Sequence, residues 1–201
     1  MKKLFSIIKN HYMSILIWSI VCLVAGLYIS LIFNYNVWTD EAFTFDLLRG
    51  NILEIIEGTA KDVHPPLYYL YAKIFDFIFG YSIQVQKIAA IIPMLGVLVF
   101  GATVIRKRFG DVVSFFFLLF ISCVPCAMEF AVQVRMYSLA LEFVTFCGVY
   151  AYFAYEDGSI KNFLIFAING LLAAYTHYFA FGSVIIITGF LFLALLFKKR
   201  I

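Results

Sequence analysis

Apolar runs of helix length recur along this chain and leave a soluble fold with no surface to use. Residues 12–33, 83–105, 112–128, 137–155, 161–178 and 181–197 read as six such runs. About 20 mostly apolar residues carry a helix across a 30 Å hydrocarbon core. Charged residues are only 13% of the chain and hydrophobic ones 64%. A soluble domain is about one quarter charged, so polar cover is lacking here. The fold class expected is all-α: a polytopic membrane protein of six or seven transmembrane helices, a single module over residues 1–201. The formal net charge of +3 includes no basic tract suited to a nucleic-acid backbone. Lys2, Lys3 and Lys9 precede the first run, as in a signal peptide. That run is too long, however, and Phe33-Asn34-Tyr35-Asn36 offers no small-residue cleavage site, so an uncleaved span is expected. Cys22, Cys123, Cys126 and Cys147 all lie in apolar runs. Cys123 and Cys126 have CxxC spacing, but Pro125 stands between them and no second pair exists. They read as packing residues rather than a zinc site.

The polar residues concentrate in residues 34–66, the first loop. Residues 40–48 and 51–57 predict two short amphipathic helices in the interface plane, split at Arg49-Gly50. Thr39 is placed to cap the first, which puts Asp40 and Glu41 in its opening turn. Pro65 and Pro66 then open a helix over residues 67–79, since a proline N–H is not missed in a first turn. Its length falls short of the hydrocarbon core. Basic residues favour the cytoplasmic side. Lys2, Lys3 and Lys9, the trio Arg106, Lys107 and Arg108, and the trio Lys198, Lys199 and Arg200 all satisfy that rule if the 67–79 helix does not cross. Six spans result, and Asp40, Asp62, His64, Arg135 and His177 come to one extracytoplasmic face. Seven spans would break the rule at Arg106, Lys107 and Arg108.

Each of these polar residues supports more than one reading. Asp40 and Glu41, just past Trp38, suit a general base for an acceptor hydroxyl or amine, a divalent-metal site, or a helix cap. Asp62 and His64 suit a cation site or an oriented phosphate, and His64 alone suits a cap at the helix start. Arg135 lies in an apolar neighbourhood beside Tyr137, at the depth of a lipid phosphate. A guanidinium binds that group bidentately, and the alternative is a salt bridge to Glu129 or a loop acid. His177 either joins this set or snorkels beside Tyr178. Lys87 and Glu142 are the nearest intramembrane charges for a transporter, and half-repeat symmetry is not evident.

Taken together, Trp38-Thr39-Asp40-Glu41, Asp62-Val63-His64-Pro65-Pro66-Leu67-Tyr68-Tyr69, the stretch from Lys87 to the Arg108-Phe109-Gly110 pattern, and Arg135-Met136-Tyr137-Ser138-Leu139 resemble the amino-terminal part of GT-C type integral-membrane glycosyltransferases. The nearest branch is that of the dolichyl-phosphate-mannose protein mannosyltransferases and lipid A aminoarabinose transferases. The order and rough spacing match over about residues 12 to 180. The resemblance implies inverting transfer of a sugar from a polyprenyl-phosphate donor to a lipid, glycan or protein acceptor outside the cytoplasm; the short chain and short loops point to a plasma membrane. It implies Asp40 as catalytic base with Glu41 its neighbour, and His64 in the Lys-or-His position before Pro-Pro. Arg135 would lie near the donor phosphate, with Tyr137 and His177 in its company. Asp40, Asp62 and His64 would be the residues for a divalent cation.

Two departures stand out. Gln133 occupies a position where many relatives carry glutamate. Relatives also continue with further spans, so this chain is expected to lack their carboxyl-terminal part, as a truncated product, a fragment, or one piece of an assembly in which a partner chain supplies those helices. The competing function is a non-catalytic membrane subunit or polyprenyl-phosphate-binding module, which would use Arg135 but not Asp40.

Overall fold

The computed structural model describes residues 2–62, 64–124 and 126–198, with side chains from His11 onward. Val63, Pro125, Lys199 and Arg200 therefore lie outside the described residues, as do the side chains of Lys2, Lys3 and Lys9. The described chain is helical: α1 (Lys2–Leu31), α2 (Thr39–Arg49), α3 (Ile52–Ala60), α4 (Leu67–Phe79) and α5 (Ile83–Phe100), then a π-helical turn (Gly101–Ile105) into α6 (Arg106–Phe109). There follow α7 (Asp111–Cys123), α8 (Ala127–Val132), α9 (Tyr137–Asp157), α10 (Ile160–Thr176) and α11 (Tyr178–Lys198).

The all-α class holds, but the expectation of six or seven spans does not. Among the described residues four helices are long and apolar enough to cross a membrane: His11–Leu31, Ile83–Phe109, Tyr137–Asp157 and Tyr178–Lys198. The apolar runs at 112–128 and 161–178 fall short for local reasons. The first stops as α7 at Cys123, because Val124 is extended (φ −61°, ψ 122°), as a residue before proline tends to be. At 13 residues, α7 rises about 20 Å. The second stops as α10 at Thr176, where His177 is extended (φ −158°, ψ 139°), and its 17 residues rise about 26 Å.

Packing follows from which face of each helix carries small or interdigitating residues. On α1 Ile17, Val21, Val24 and Tyr28 repeat at four- and three-residue steps and bury against Ile91, Met94, Leu98 and Leu118. The opposite face of α1 leaves Ile15, Leu23 and Leu27 exposed. In lipid such faces gain little from mutual burial, so close fit decides which sides pair. Gly101 gives one example: a Cβ there would meet Phe117 Cδ1 at 2.6 Å. The Ser114 hydroxyl donates to the Gly101 carbonyl at 2.8 Å across the same contact, where the π turn loosens the helical hydrogen-bond ladder. Gly158 turns α9 into α10 at φ +64°, a left-handed position that suits glycine.

The two expected loop helices form as α2 and α3, and α3 runs on to Ala60. Thr39 is the first residue of α2 rather than its cap, which is Trp38. The loop helices pack on α4 and on the start of α9 through Leu48, Ile55, Tyr68, Tyr69, Ala72, Met136 and Leu139. Tyr81 donates to the Phe45 carbonyl at 3.1 Å and Lys73 to that of Leu48. This subdomain sits at the end of the bundle where α1 ends and α9 begins.

Candidate functional site

Glu41 organises this end of the molecule. It is 2% exposed. One carboxylate oxygen accepts the Trp38 N–H at 2.8 Å, which closes the first turn of α2. The other accepts the Val134 N–H at 2.7 Å, 93 residues away in the sequence. A carboxylate that takes two backbone donors in a buried place is strongly bound there. The sequence expectation put Glu41 at an acceptor or metal site. In the structure each of its oxygens accepts a backbone N–H, which fastens α2 to the strap between α8 and α9.

That fastening sets Asp40 beside Arg135. Arg135 is 5% exposed, and its Nη1 donates to the Asp40 main-chain carbonyl at 3.1 Å. The same nitrogen makes a long contact of 3.5 Å with the Tyr69 hydroxyl. Nη2 lies 3.5 Å from His64 Nε2. Arg135 Nε is buried without a hydrogen-bond partner among the described residues. Among the described residues Glu129 does not pair with this guanidinium. Glu129 accepts instead from the Gln133 amide at 3.4 Å. The side chain of Asp40 is exposed, with no hydrogen bond or ion pair among the described residues. It stands in the first turn of α2, where the helix N-terminus favours negative charge.

His64 Nδ1 lies 2.9 Å from Asp62 Oδ2. With Nδ1–H donating to Asp62, Nε2 is left to accept from Arg135, so the two neighbours suit opposite roles at the two ring nitrogens. His64 does not cap α4, whose cap is Pro66. The ring of His177 lies 5.7 Å from that of His64 and 5.9 Å from that of Tyr137. His177 Nδ1 accepts the Phe179 N–H at 3.1 Å, which keeps that nitrogen unprotonated. Burial first, then the neighbouring His64 and Arg135, hold the His177 pKa below its ordinary value. Tyr137 enters through its ring, 4.7 Å from Phe130. Burial likewise pushes the Tyr69 hydroxyl up to about 12, against the pull of Arg135, so it stays a neutral hydroxyl.

Asp40, Asp62, His64, Arg135, Tyr137 and His177 thus converge at one end of the bundle. Tyr69 belongs with them and was not singled out from the sequence, although it closes the quoted stretch of motif before α4. Its position two residues into α4, on the face shared with Ala72, was the available signal. Lys87 is also placed here: it is buried and donates to the main-chain carbonyls of Asn34 and Asn36.

The divalent-cation expectation for Asp40, Asp62 and His64 does not fit. Among the described residues no group of three or more His, Cys, Asp and Glu side chains is arranged to hold a metal ion. Both ring nitrogens of His64 face other partners, and one of those is a guanidinium that would repel a cation. The chemistry available is that of an exposed carboxylate able to take a proton, beside a buried cation able to meet an anion. Comparison with protein-family models, with curated proteins and with solved structures finds no match to this chain, so this geometry is the ground on which a function rests.

Proposed function

We propose that the chain is a glycosyltransferase module of the membrane, moving a sugar from a polyprenyl-phosphate donor to a lipid, glycan or protein acceptor on the extracytoplasmic face of the plasma membrane. The observation that supports it is a buried Arg135 that donates to the main-chain carbonyl of Asp40, a residue whose own side chain is exposed. Burying a guanidinium near a membrane is costly, and such residues usually serve a ligand. In the step envisaged, Asp40 accepts the proton of an acceptor hydroxyl. The acceptor oxygen bonds to the anomeric carbon from one face as the bond to the phosphate oxygen breaks on the other. The electron pair leaves with the lipid phosphate, whose charge Arg135 offsets while Tyr69 and His64 keep the guanidinium in place.

The test is release of free lipid phosphate by the purified chain in vesicles, with a panel of polyprenyl-phosphate sugars and acceptors. Release that is lost in Asp40→Asn supports the transferase. Absence of release, with donor binding that Arg135→Ala abolishes, overturns it in favour of a polyprenyl-phosphate-binding module.

A further inference from the structure

Beside the Asp40–Arg135 cluster lies a separate cavity of about 340 Å³ at the junction of α1, α2, α5 and α8. Its polar lining comes from Asn34, Asn36, Glu41, Lys87, Glu129 and Gln133, and Trp38 stands at its wall. Small-ligand sites run from about 300 to 1,000 Å³, apolar in part with a few placed polar groups. The polar groups here are held in place. Lys87 pins the Asn34 and Asn36 carbonyls to the first turns of α5. The Asn34 side-chain oxygen accepts the Asn36 N–H at 3.0 Å, which leaves its amide NH₂ to donate. Glu129 takes the Gln133 amide on one oxygen and keeps the other. The indole of Trp38 is 63% exposed, so its ring offers a free face. An interfacial tryptophan acting only as an anchor needs no polar pocket beside it.

Alternating amide donors and carboxylate acceptors around an aromatic face match one kind of molecule. A sugar ring carries vicinal hydroxyls that both donate and accept, and a C–H face that lies on an aromatic plane. We propose that this cavity is a subsite for one saccharide ring: Trp38 carries its C–H face, Glu129 accepts from its hydroxyls, and the Asn34, Asn36 and Gln133 amides complete their hydrogen bonds. The reading deepens the transferase proposal, on which it rests only for where the ring comes from, the donor's sugar or a glycan acceptor.

Two tryptophans occur in the chain, Trp18 and Trp38, so Trp18→Phe leaves Trp38 as the single reporter. The experiment follows Trp38 emission of this variant in lipid nanodiscs against methyl α-mannoside, methyl β-glucoside and methyl N-acetyl-β-glucosaminide. The expected result is a saturable change for at least one glycoside at roughly millimolar concentration, weakened about tenfold in Glu129→Ala and in Gln133→Ala and kept in Arg108→Gln at the far end of the bundle. No saturable change with any of the three overturns the proposal, and so does a change that both variants leave untouched. Glu129 is exposed, so its removal spares the fold. Competition then identifies the source. Displacement by a polyprenyl-phosphate sugar but not by sugar-free polyprenyl phosphate marks the donor's ring, and simultaneous binding marks an acceptor. Glycoside binding without any donor turnover would sink the transferase and leave the subsite standing.

Discussion

Arg135 at one end of the bundle and Arg106 and Arg108 at the other make opposite uses of the same side chain. Arg106 donates from Nε to Asp111 at 2.7 Å and from Nη1 to Ser14 at 2.9 Å, with its side chain 25% exposed and that of Asp111 43%. Arg108 pairs with Glu156 and stacks 5.6 Å from the ring centroid of Phe153, and it is about half in solvent. These are ordinary surface pairs, each charge met by its opposite. Arg135 is buried and meets a backbone carbonyl, a tyrosine hydroxyl and an imidazole. The nearby acids are committed elsewhere: Glu41 to two backbone N–H groups, Asp62 to His64. A charge that is neutralised where it stands serves stability. One that is buried and left positive is suited to an anion that comes and goes.

The largest effects are expected where that contrast is sharpest. Asp40→Asn should lower donor turnover by about 10²- to 10⁴-fold, the range of a lost general base. It should lower the melting temperature only slightly, by the roughly 0.3–1 kcal/mol of a charge at a helix N-terminus, since the carboxylate makes no hydrogen bond or ion pair among the described residues. Arg135→Ala should cost about 10²- to 10³-fold in the same assay, as expected for a lost donor to developing charge. If Asp40→Asn destabilises the fold by more than that, its carboxylate belongs with the structural charges of the other end.

Glu41→Ala sharpens the comparison from the stability side. Two buried backbone donors lose their acceptor, and unfolding in detergent should become easier by about 2–4 kcal/mol. A drop below about 0.5 kcal/mol would mean that the strap at Val134 is held by something other than Glu41. The pH dependence should then follow His177. Its folded pKa lies below the ordinary 6.5, so the unfolded chain binds the extra proton first. The stability this imidazole contributes is therefore complete above pH 6.5. It declines as the pH falls through that value toward the folded pKa. His177→Phe, which keeps an aromatic ring against Tyr137, should flatten that decline in a series of melting curves.

At the opposite end the changes should be smallest. Asp111→Asn, opposite Arg106, should cost about 0.5–1 kcal/mol, less at high salt. Arg108→Gln should leave the melting temperature within error and donor turnover intact. A loss of turnover there would make the two ends equivalent and remove the basis for assigning the site to one of them.

Much of this was legible in the chain itself. The apolar runs at 12–33, 83–105, 137–155 and 181–197 each gave a helix long enough to span. The loop helices, the proline start of α4 and the glycine stops followed from local rules that depend on neighbours a few residues away. The runs at 112–128 and 161–178 misled because hydropathy averages over a window and does not register where backbone torsion stops a helix. Val124 and His177 did so. At the site, Asp40, His64, Arg135 and His177 were recognisable as polar residues out of place in an apolar chain. Glu41 and Tyr69 were not recognisable for what they do.

The sequence by itself determined the class of the protein, because apolar content and helix-length runs fix the solvent a chain can face. It also determined which polar residues needed an explanation. Only the tertiary structure decided how they divide the work. Glu41 and Asp40 are adjacent in sequence and chemically alike, yet one is buried on the Val134 N–H and the other faces out. Successive residues on a helix point about 100° apart, so which carboxylate is consumed depends on where a segment 93 residues away comes to lie. That position is set by the packing of α8 and α9 on the bundle, a long-range fit that no local pattern encodes.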